Sequence, residues 1–127
     1  MLLHLRDPFL ALQRVAAVTR ETLVVTELVP FRDRPGWTGQ ETEIPAAMLA
    51  DPWGPEMLFQ PSSAERDVFG TWWNMTPACV RQMLGVLGFE AERTTFHLQR
   101  HLGHYAHAFH TTVARRVRPA GTATADR

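Results

Sequence analysis

The segment that most constrains the fold starts with threonine and proline and ends with glycine and phenylalanine. The Thr76 hydroxyl can accept a hydrogen bond from an unpaired first-turn amide, and Pro77 suits the first helical position because its missing N–H costs nothing there. Gly88 can adopt the left-handed conformation that ends a helix, and Phe89 supplies the hydrophobic contact after such a cap. One apolar stripe at helical spacing is formed by Val80, Met83, Leu84 and Leu87. The pattern predicts a core-facing helix followed by a strand.

A second helix and another strand are predicted nearer the amino terminus. Asp7 can cap a helix that begins at Pro8 and ends at 19–21. The predicted inner face of this helix consists of Leu12, Val15, Ala16 and Thr19. Residues 22–29 are β-branched and almost continuously apolar, which is typical of a strand buried on both faces, as in a parallel sheet. A helix followed by a buried strand is the second half of a βαβ unit, and its first strand is missing or reduced to residues 1–5.

Between residues 31 and 71 the periodicity fades, and we interpret this stretch as a long aromatic-rich loop insertion. Within it, 44–49 predicts a turn of helix and 57–59 a short strand. So long a loop in a compact domain tends to be a lid or a binding loop. The aromatic residues in or beside it are Trp37, Trp53, Phe59, Phe69, Trp72 and Trp73. They could line a pocket for a flat ligand such as a base, or they could fix the insertion to the core.

Residues 89–96 and 105–114 predict two strands of an antiparallel C-terminal hairpin. Five histidines lie in or between these strands: His97, His101, His104, His107 and His110. Three imidazoles would suffice for a catalytic zinc site. However, no HExxH arrangement or cysteine pair accompanies them, and strand alternation places His107 and His110 on opposite faces. We therefore expect no metal site and surface histidines on a hairpin, followed by a disordered tail at 119–127.

Composition and charge narrow the classes of partner and compartment. The formal net charge is zero with neutral histidines, which argues against a DNA or membrane partner. The cluster of Arg115, Arg116 and Arg118 is interpreted as a solvated end. The single cysteine, Cys79, cannot form an internal disulfide, which fits a reducing cytoplasm, and its position on the helix predicts a buried apolar filler. No apolar run approaches the ~20 residues that span a bilayer, and no signal-peptide pattern is present.

Four segments carry a family resemblance in a fixed order. They are His-Leu-Arg-Asp-Pro at 4–8, Glu-Thr-Leu-Val-Val-Thr-Glu at 21–27, Met-Leu-Phe-Gln-Pro at 57–61 and Trp-Trp-Asn-Met-Thr-Pro at 72–77. The set resembles the C-terminal half of class I S-adenosylmethionine-dependent methyltransferases, over about residues 2–114. It is most similar to the branch that includes the tRNA wobble-uridine (carboxymethoxyuridine) methyltransferases. The corresponding segments there read Tyr-His-Leu-Arg-x-Pro, Glu-Thr-Leu-x-x-Glu-Thr, Met-Arg-Phe-Tyr-Pro and Trp-Trp-x-Pro, and the helix that follows also ends in Gly-Phe.

The resemblance implies an α/β fold with a doubly wound, Rossmann-like sheet and an antiparallel strand near one edge. Residues 1–118 would form only its C-terminal half. S-adenosylmethionine would be the cofactor of the parent activity, held at the carboxyl ends of the first strands. The chain departs from that pattern because no Gly-x-Gly turn occurs in its 127 residues and the acidic residue for the ribose hydroxyls is missing. Leu3 stands where relatives often carry a tyrosine near the cofactor. We therefore expect that this chain alone binds no cofactor.

Candidate site residues lie near the predicted strand ends: His4, Arg6, Glu27, Trp72, Trp73 and Asn74. His4 could act as a base or a hydrogen-bond donor, or it could cap the turn before the first helix. Arg6 could meet an anionic substrate or a phosphate, or it could pair with Asp7 at the surface. Glu27 is interpreted as a loop anchor rather than a catalytic acid. Asn74 either binds substrate with the two tryptophans or stabilises a turn.

Three functional hypotheses follow. In the first, the chain belongs to a methyltransferase that acts on a tRNA base or a small molecule, and its cofactor half lies upstream or on a separate polypeptide. In the second, it is a non-catalytic binding or regulatory subunit that pairs with itself or with a complete methyltransferase. In the third, it is an inactive product that pairs with itself. An exposed apolar edge strand is a template for such association. RNA is considered as a partner only because of the family resemblance.

Overall fold

The computed structural model of the chain describes residues 2–30, 34–61, 70–100 and 105–119. Its elements are a 3₁₀ turn at Leu2–His4, helix α1 at Pro8–Val18, strand β1 at Thr22–Leu28, helix α2 at Ala46–Leu49, strands β2 at Met57–Phe59 and β3 at Trp73–Met75, helix α3 at Pro77–Val86, and strands β4 at Phe89–Arg100 and β5 at Ala106–Arg116. The predicted α/β class is confirmed.

The main sheet has three strands in the order β1-β5-β4. Strand β5 runs antiparallel to both neighbours, with Phe109 opposite Leu28 on one side and Ala106 opposite Arg100 on the other. Strands β1 and β4 are therefore parallel to each other and are separated by β5. The predicted C-terminal hairpin is confirmed, and both of its strands are longer than predicted. Strands β2 and β3 form a separate antiparallel pair.

The helix boundaries follow the caps that the sequence predicts. The Asp7 carboxylate accepts a hydrogen bond from the Leu10 amide at 2.9 Å, and the Thr76 hydroxyl accepts one from the Cys79 amide at 3.3 Å. Gly88 has a φ of 91°, the left-handed conformation expected at the end of α3. The two caps and the C-terminal glycine are thus confirmed.

The largest core cluster lies between helices α1 and α3 and one face of the main sheet. It includes Leu12 and Ala16 from α1, Val80 and Leu84 from α3, and the sheet residues Leu23, Val25, Phe89 and Ala114. Because both helices pack on the same face, the described part of the chain forms two layers. The prediction of an α/β sheet is therefore confirmed. The predicted doubly wound arrangement, with helices on both faces, is not seen in the described residues, whose helices cover one face of the sheet.

Strand β1 corrects one prediction from the sequence. Its residues alternate between exposed and buried, and the outward-facing Val24 keeps 56 % of its surface exposed. The prediction that this strand is buried on both faces was therefore wrong. The reason is that antiparallel pairing needs only one apolar face, while valine and threonine are also favoured on the open face of a strand for their β-branched shape.

The insertion carries the predicted turn of helix as α2 and the predicted short strand as β2. It packs on the sheet through a second cluster that contains Val29, Met48 and Ala108, with Trp37, Ile44, Trp53, Phe96 and Leu98 against it. Its described part is therefore attached to the sheet through side chains of its own. The predicted insertion includes residues 31–33 and 62–69, and the predicted tail includes 120–127; these lie outside the described residues.

The arginines near the carboxyl terminus also differ from prediction. Arg116 donates hydrogen bonds to the carbonyls of Ala16 and, at 2.9 Å, of Thr19. Arg118 donates to the carbonyls of Gly85 and Val86 at 2.7 and 3.2 Å. Only Arg115 fits the description of a solvated end, with 66 % of its side chain exposed. Among the described helices, none has the length and apolarity that crossing a membrane requires.

Candidate functional site

A cleft of about 490 Å³ opens where β1 ends and β5 begins. Asn74 from β3 and Trp37 from the insertion line it, together with Leu28, Val29, Pro30, Gln60, Thr71 and residues 105–108. The cleft lies at the carboxyl end of β1, which is the end of a strand where α/β sheets bind their ligands. Among the candidate residues predicted from the sequence, Asn74 lies in this cleft.

Asn74 is positioned by the pairing of β2 with β3 and by the cap of α3. Asn74 lies opposite Leu58 in the β2–β3 pair. Two residues later, the Thr76 hydroxyl donates to the Gly54 carbonyl at 2.6 Å and accepts from the Glu56 amide at 2.9 Å. One hydroxyl therefore holds both the start of α3 and the loop before β2, and this fixes the strand that presents Asn74.

Arg6, Trp72 and Trp73 lie together, with Phe59, and none of the four lines the cleft. The Arg6 guanidinium carbon lies 5.7 Å from the centre of the Trp72 ring, and the Trp73 indole N–H donates to the Arg6 carbonyl at 3.1 Å. The Phe59 ring meets Trp73 edge-on at 5.2 Å and keeps 59 % of its surface exposed. Within the described ranges Arg6 makes no ion pair with Asp7. The cluster is an aromatic surface with one cation, of the kind that binds flat or anionic groups.

Trp37 and Trp53 pack in the second core cluster. The Arg34 guanidinium lies 4.8 Å from the Trp53 ring centre, and the same arginine forms an ion pair with Glu56. These contacts support the interpretation that Trp37 and Trp53 fix the insertion to the sheet. Trp37 also borders the cleft, so it serves packing and lining together.

Leu3 and His4 do not converge with Asn74. Leu3 is 4 % exposed and belongs to the main core, and its carbonyl accepts a hydrogen bond from the Trp72 amide at 2.9 Å. His4 ends the 3₁₀ turn and is exposed. The hydrogen bond from Trp72 links this turn to the aromatic cluster through the backbone.

Glu27 is 2 % exposed near the end of β1. One carboxylate oxygen accepts a hydrogen bond from the Leu2 amide, and the other has no partner in the part of the chain that the structure describes. Burial raises the pKa of this carboxyl above its ordinary value, although the Leu2 hydrogen bond and the positive amino terminus oppose that shift. Glu27 thus anchors the segment before α1 rather than the loop that follows β1.

His110 is the residue whose surroundings were predicted wrongly. It lies directly opposite Glu27 in the β1–β5 register and is fully buried, whereas His107 and His97 are exposed. Its Nδ1 lies 3.3 Å from the Thr112 hydroxyl, and its Nε2 has no partner among the described residues. Burial lowers the pKa of His110 to about 4, and the charges of Arg81 and His97 act in the same direction. The alternation of His107 with His110 was the available signal, since it places one of them inside.

No metal site is formed by the described residues, where no three histidine, cysteine, aspartate or glutamate side chains cluster suitably. His101 and His104 lie outside those residues. Cys79 is buried, as predicted, and burial raises the pKa of its thiol. A thiol in that state is a poor nucleophile.

No protein-family model, no curated protein and no solved structure matches the chain. The function is therefore argued from the geometry. The described lining of the cleft contains no glycine and no carboxylate. It does not fit S-adenosylmethionine, whose amino-acid and ribose groups need a close backbone approach and an acidic partner. The cleft offers amide, hydroxyl, imidazole and aromatic groups, which suit an uncharged polar ligand.

Proposed function

We propose that this chain is the substrate-side half of a class I S-adenosylmethionine-dependent methyltransferase, and that it does not catalyse methyl transfer alone. The observation that carries the proposal is the arrangement of the sheet, in which antiparallel β5 separates the parallel strands β1 and β4. A sheet with an antiparallel strand near one edge is what the resemblance implies. The helix that precedes β1 and the helix that precedes β4 also fit successive units of such a fold.

The cleft supports an acceptor-binding role for this half. Methyl transfer needs a nucleophile held in line with the methyl group while water is excluded, and much of the rate comes from that positioning. Asn74 can orient an acceptor through its amide. The cluster of Arg6, Phe59, Trp72 and Trp73, next to Asn74 in the chain and in the β2–β3 pair, can hold a flat or anionic part of an acceptor that extends out of the cleft. The acceptor classes that fit are a tRNA base and a small molecule.

The missing function is cofactor binding, which we assign to a second half that joins at the open edge of β1. In the sheet order β1-β5-β4, one edge of β1 has no neighbour among the described strands. A doubly wound sheet would continue there. We place the assembled protein in a reducing cytoplasm, in keeping with the single, buried cysteine of this chain.

The test is a calorimetric titration of S-adenosylmethionine into the 127-residue chain, with a reading of the DNA upstream of Met1. We expect no micromolar binding by the chain alone. We also expect a Gly-x-Gly turn encoded in frame upstream or in a neighbouring gene, and binding once that segment is joined or co-expressed. Micromolar binding by the chain alone would overturn the proposed division of labour, and failure of the joined protein to bind would overturn the methyltransferase assignment.

The second candidate is a non-catalytic binding subunit, and the open edge of β1 favours it equally. In that case the chain would associate through β1 with a complete methyltransferase that already has its own cofactor site. The two candidates differ in one measurement. A complete methyltransferase binds S-adenosylmethionine with the same affinity in the presence and absence of this chain. A cofactor half binds S-adenosylmethionine only after it has associated with this chain.

A further inference from the structure

The open edge of β1 presents a regular row of backbone groups. The Val29 amide donates to the Ala108 carbonyl at 2.8 Å, and the Arg116 amide donates to the Glu21 carbonyl at 2.7 Å. These two bonds set the phase of the antiparallel ladder, in which residues bonded to β5 alternate with residues that face away. The amides and carbonyls of Val24 and Thr26 therefore point to the open edge. They are spaced to pair with an added strand.

An apolar groove of about 260 Å³ runs along that edge. It lies between β1 and the segment formed by the 3₁₀ turn and α1, and is lined by Leu2, Leu5, Leu12, Val15 and residues 23–27. Leu5 and Val15 are 41 % and 45 % exposed where they line this groove. A strand added to β1 would place its inward side chains in this groove and cover both residues.

One polar group lies among these apolar residues. Glu27 lines the groove together with Leu2, whose amide holds one oxygen of the Glu27 carboxylate. The other oxygen is buried without a partner among the described residues. The backbone at Leu2, Leu3 and Leu28 and the positive amino terminus stabilise the carboxylate, but this oxygen has no hydrogen bond from the described residues. A buried carboxylate oxygen without a donor is costly, so its place beside an open strand edge points to a donor that arrives with the added strand.

Self-pairing of β1 does not supply that donor. When two copies pair antiparallel through their outward-facing residues, Glu27 faces Glu21, Leu23, Val25 or Glu27 of the other copy, depending on the register. Two of these are carboxylates, which would repel Glu27, and the other two have no polar group. A second copy of the chain is therefore a poor occupant of this edge.

We infer that the β1 edge binds an extended segment from outside these 127 residues, and not a second copy of them, and that this segment brings an N–H or O–H donor to the free oxygen of Glu27. The segment adds as a strand, with apolar side chains in the groove and one donor opposite Glu27. This deepens the proposed function and rests on its choice of β1 as the joining edge, but it holds whether or not the partner binds S-adenosylmethionine. The carboxylate then selects a heterologous partner over a second copy.

The test uses two acetylated and amidated eight-residue peptides of alternating threonine and valine. One carries lysine in place of a central valine, and the other carries norleucine there, which has a similar shape without the donor. Fluorescence anisotropy with the full chain should show that the lysine peptide binds about tenfold more tightly or better, as expected for a hydrogen bond to a buried charged group. Equal binding of the two peptides, or binding of neither, overturns the inference.

Three variants assign the effect to the edge and to the carboxylate. Glu27→Gln should remove the preference for lysine, while Glu21→Gln, which removes one exposed carboxylate next to the same strand, should leave it intact. Val24→Pro should abolish binding of both peptides, since it removes an amide that faces the open edge and not one bonded to β5. Should Glu27→Gln unfold, the comparison of the two peptides on the natural chain still decides.

The oligomeric state gives an independent readout. Sedimentation of the natural chain should show no dimer that Val24→Pro dissociates. A homodimer lost in that variant would mean that β1 pairs with itself, and the inference would be wrong. Such a homodimer would also remove β1 as the joining edge of the proposed function. The methyltransferase assignment itself is tested separately, by cofactor binding.

Discussion

At the scale of single residues, two arginines at the end of β5 stabilise the carboxyl ends of both long helices. The last carbonyls of a helix have no partner within it, and a cation there also interacts favourably with the helix dipole. Arg116 serves α1 through Ala16 and Thr19, and Arg118 serves α3 through Gly85 and Val86. The sequence showed only a basic cluster, because nothing local tells which arginine reaches a helix about a hundred residues away in sequence.

The Arg116→Ala variant should lower the free energy of unfolding by about 2–3 kcal/mol, through loss of charged hydrogen bonds and of the contact with the Phe89 ring at 4.4 Å. Urea denaturation measures it. Arg116→Lys should recover only part of the loss, because an ammonium cannot bond both carbonyls in one plane. Arg115→Ala, which breaks an exposed ion pair with Glu92, is the control and should cost less than about 1 kcal/mol. Equal losses for Arg115 and Arg116 would contradict the capping role.

His110 should make the folded state sensitive to acid. Because its pKa is about 4 when folded and near the ordinary 6.5 when unfolded, the unfolded chain binds more protons between those values. Stability is therefore complete above pH 6.5 and is lost as the pH falls towards 4. Between pH 7 and pH 5 this site should remove about 2 kcal/mol from the free energy of unfolding.

The measurement is the urea midpoint at both pH values for the natural chain and for His110→Gln. The variant should lose most of the pH dependence, whereas His107→Gln, at an exposed position, should keep it. Arg81 and His97 contribute charge near His110 and stay in place in both proteins. Glu27 titrates with the opposite sign because its pKa is raised, so the comparison between proteins isolates the histidine. A slope unchanged in His110→Gln would show that the residue titrates normally.

At the scale of elements, α3 is the part that local sequence specifies most completely. Its cap residue, first-position proline, apolar stripe and terminal glycine all act within a few residues of one another. The same locality explains why α1 was predicted with nearly correct bounds. Val15 was assigned to the inner face by spacing alone, yet it is 45 % exposed, because it borders the groove beside the open edge of β1.

Gly85 within α3 and Gly88 just after it should respond to alanine in opposite directions. A Cβ at Gly85 meets nothing within 4 Å, so Gly85→Ala should stabilise the chain by about 0.5–1 kcal/mol through helix propensity. At Gly88, with its φ of 91°, a Cβ would lie 3.2 Å from the Arg118 carbonyl oxygen, and Gly88→Ala should destabilise by about 1–2 kcal/mol. Thermal unfolding of the two variants measures both changes in stability. A change of the same sign in both variants would contradict the role of Gly88 in ending the helix.

At the scale of the whole molecule, the sheet ends at a strand that is paired on one side only. Hydrogen exchange should reveal this directly. The amides of Leu23 and Val25 bond to β5 and should exchange slowly, while those of Val24 and Thr26 face the open edge and should exchange fast. Residue-resolved NMR of the chain measures the contrast. Uniform protection along β1 would mean that the edge is already covered, and partner binding should produce that uniform protection.

The sequence by itself determined the local elements of this protein. Two helices and a hairpin were predictable from local signals: the caps at Asp7 and Thr76, the glycine at 88 and the pattern of the C-terminal strands. Each of these signals acts between residues that are close together in the sequence. It also placed Asn74 among the candidate residues, though not in a cleft. Only the tertiary structure decided which face of β1 is covered, that β5 lies between β1 and β4, and that Glu27 and His110 are buried opposite each other. Those facts depend on pairing between residues more than eighty positions apart in the sequence, and no local preference encodes that choice.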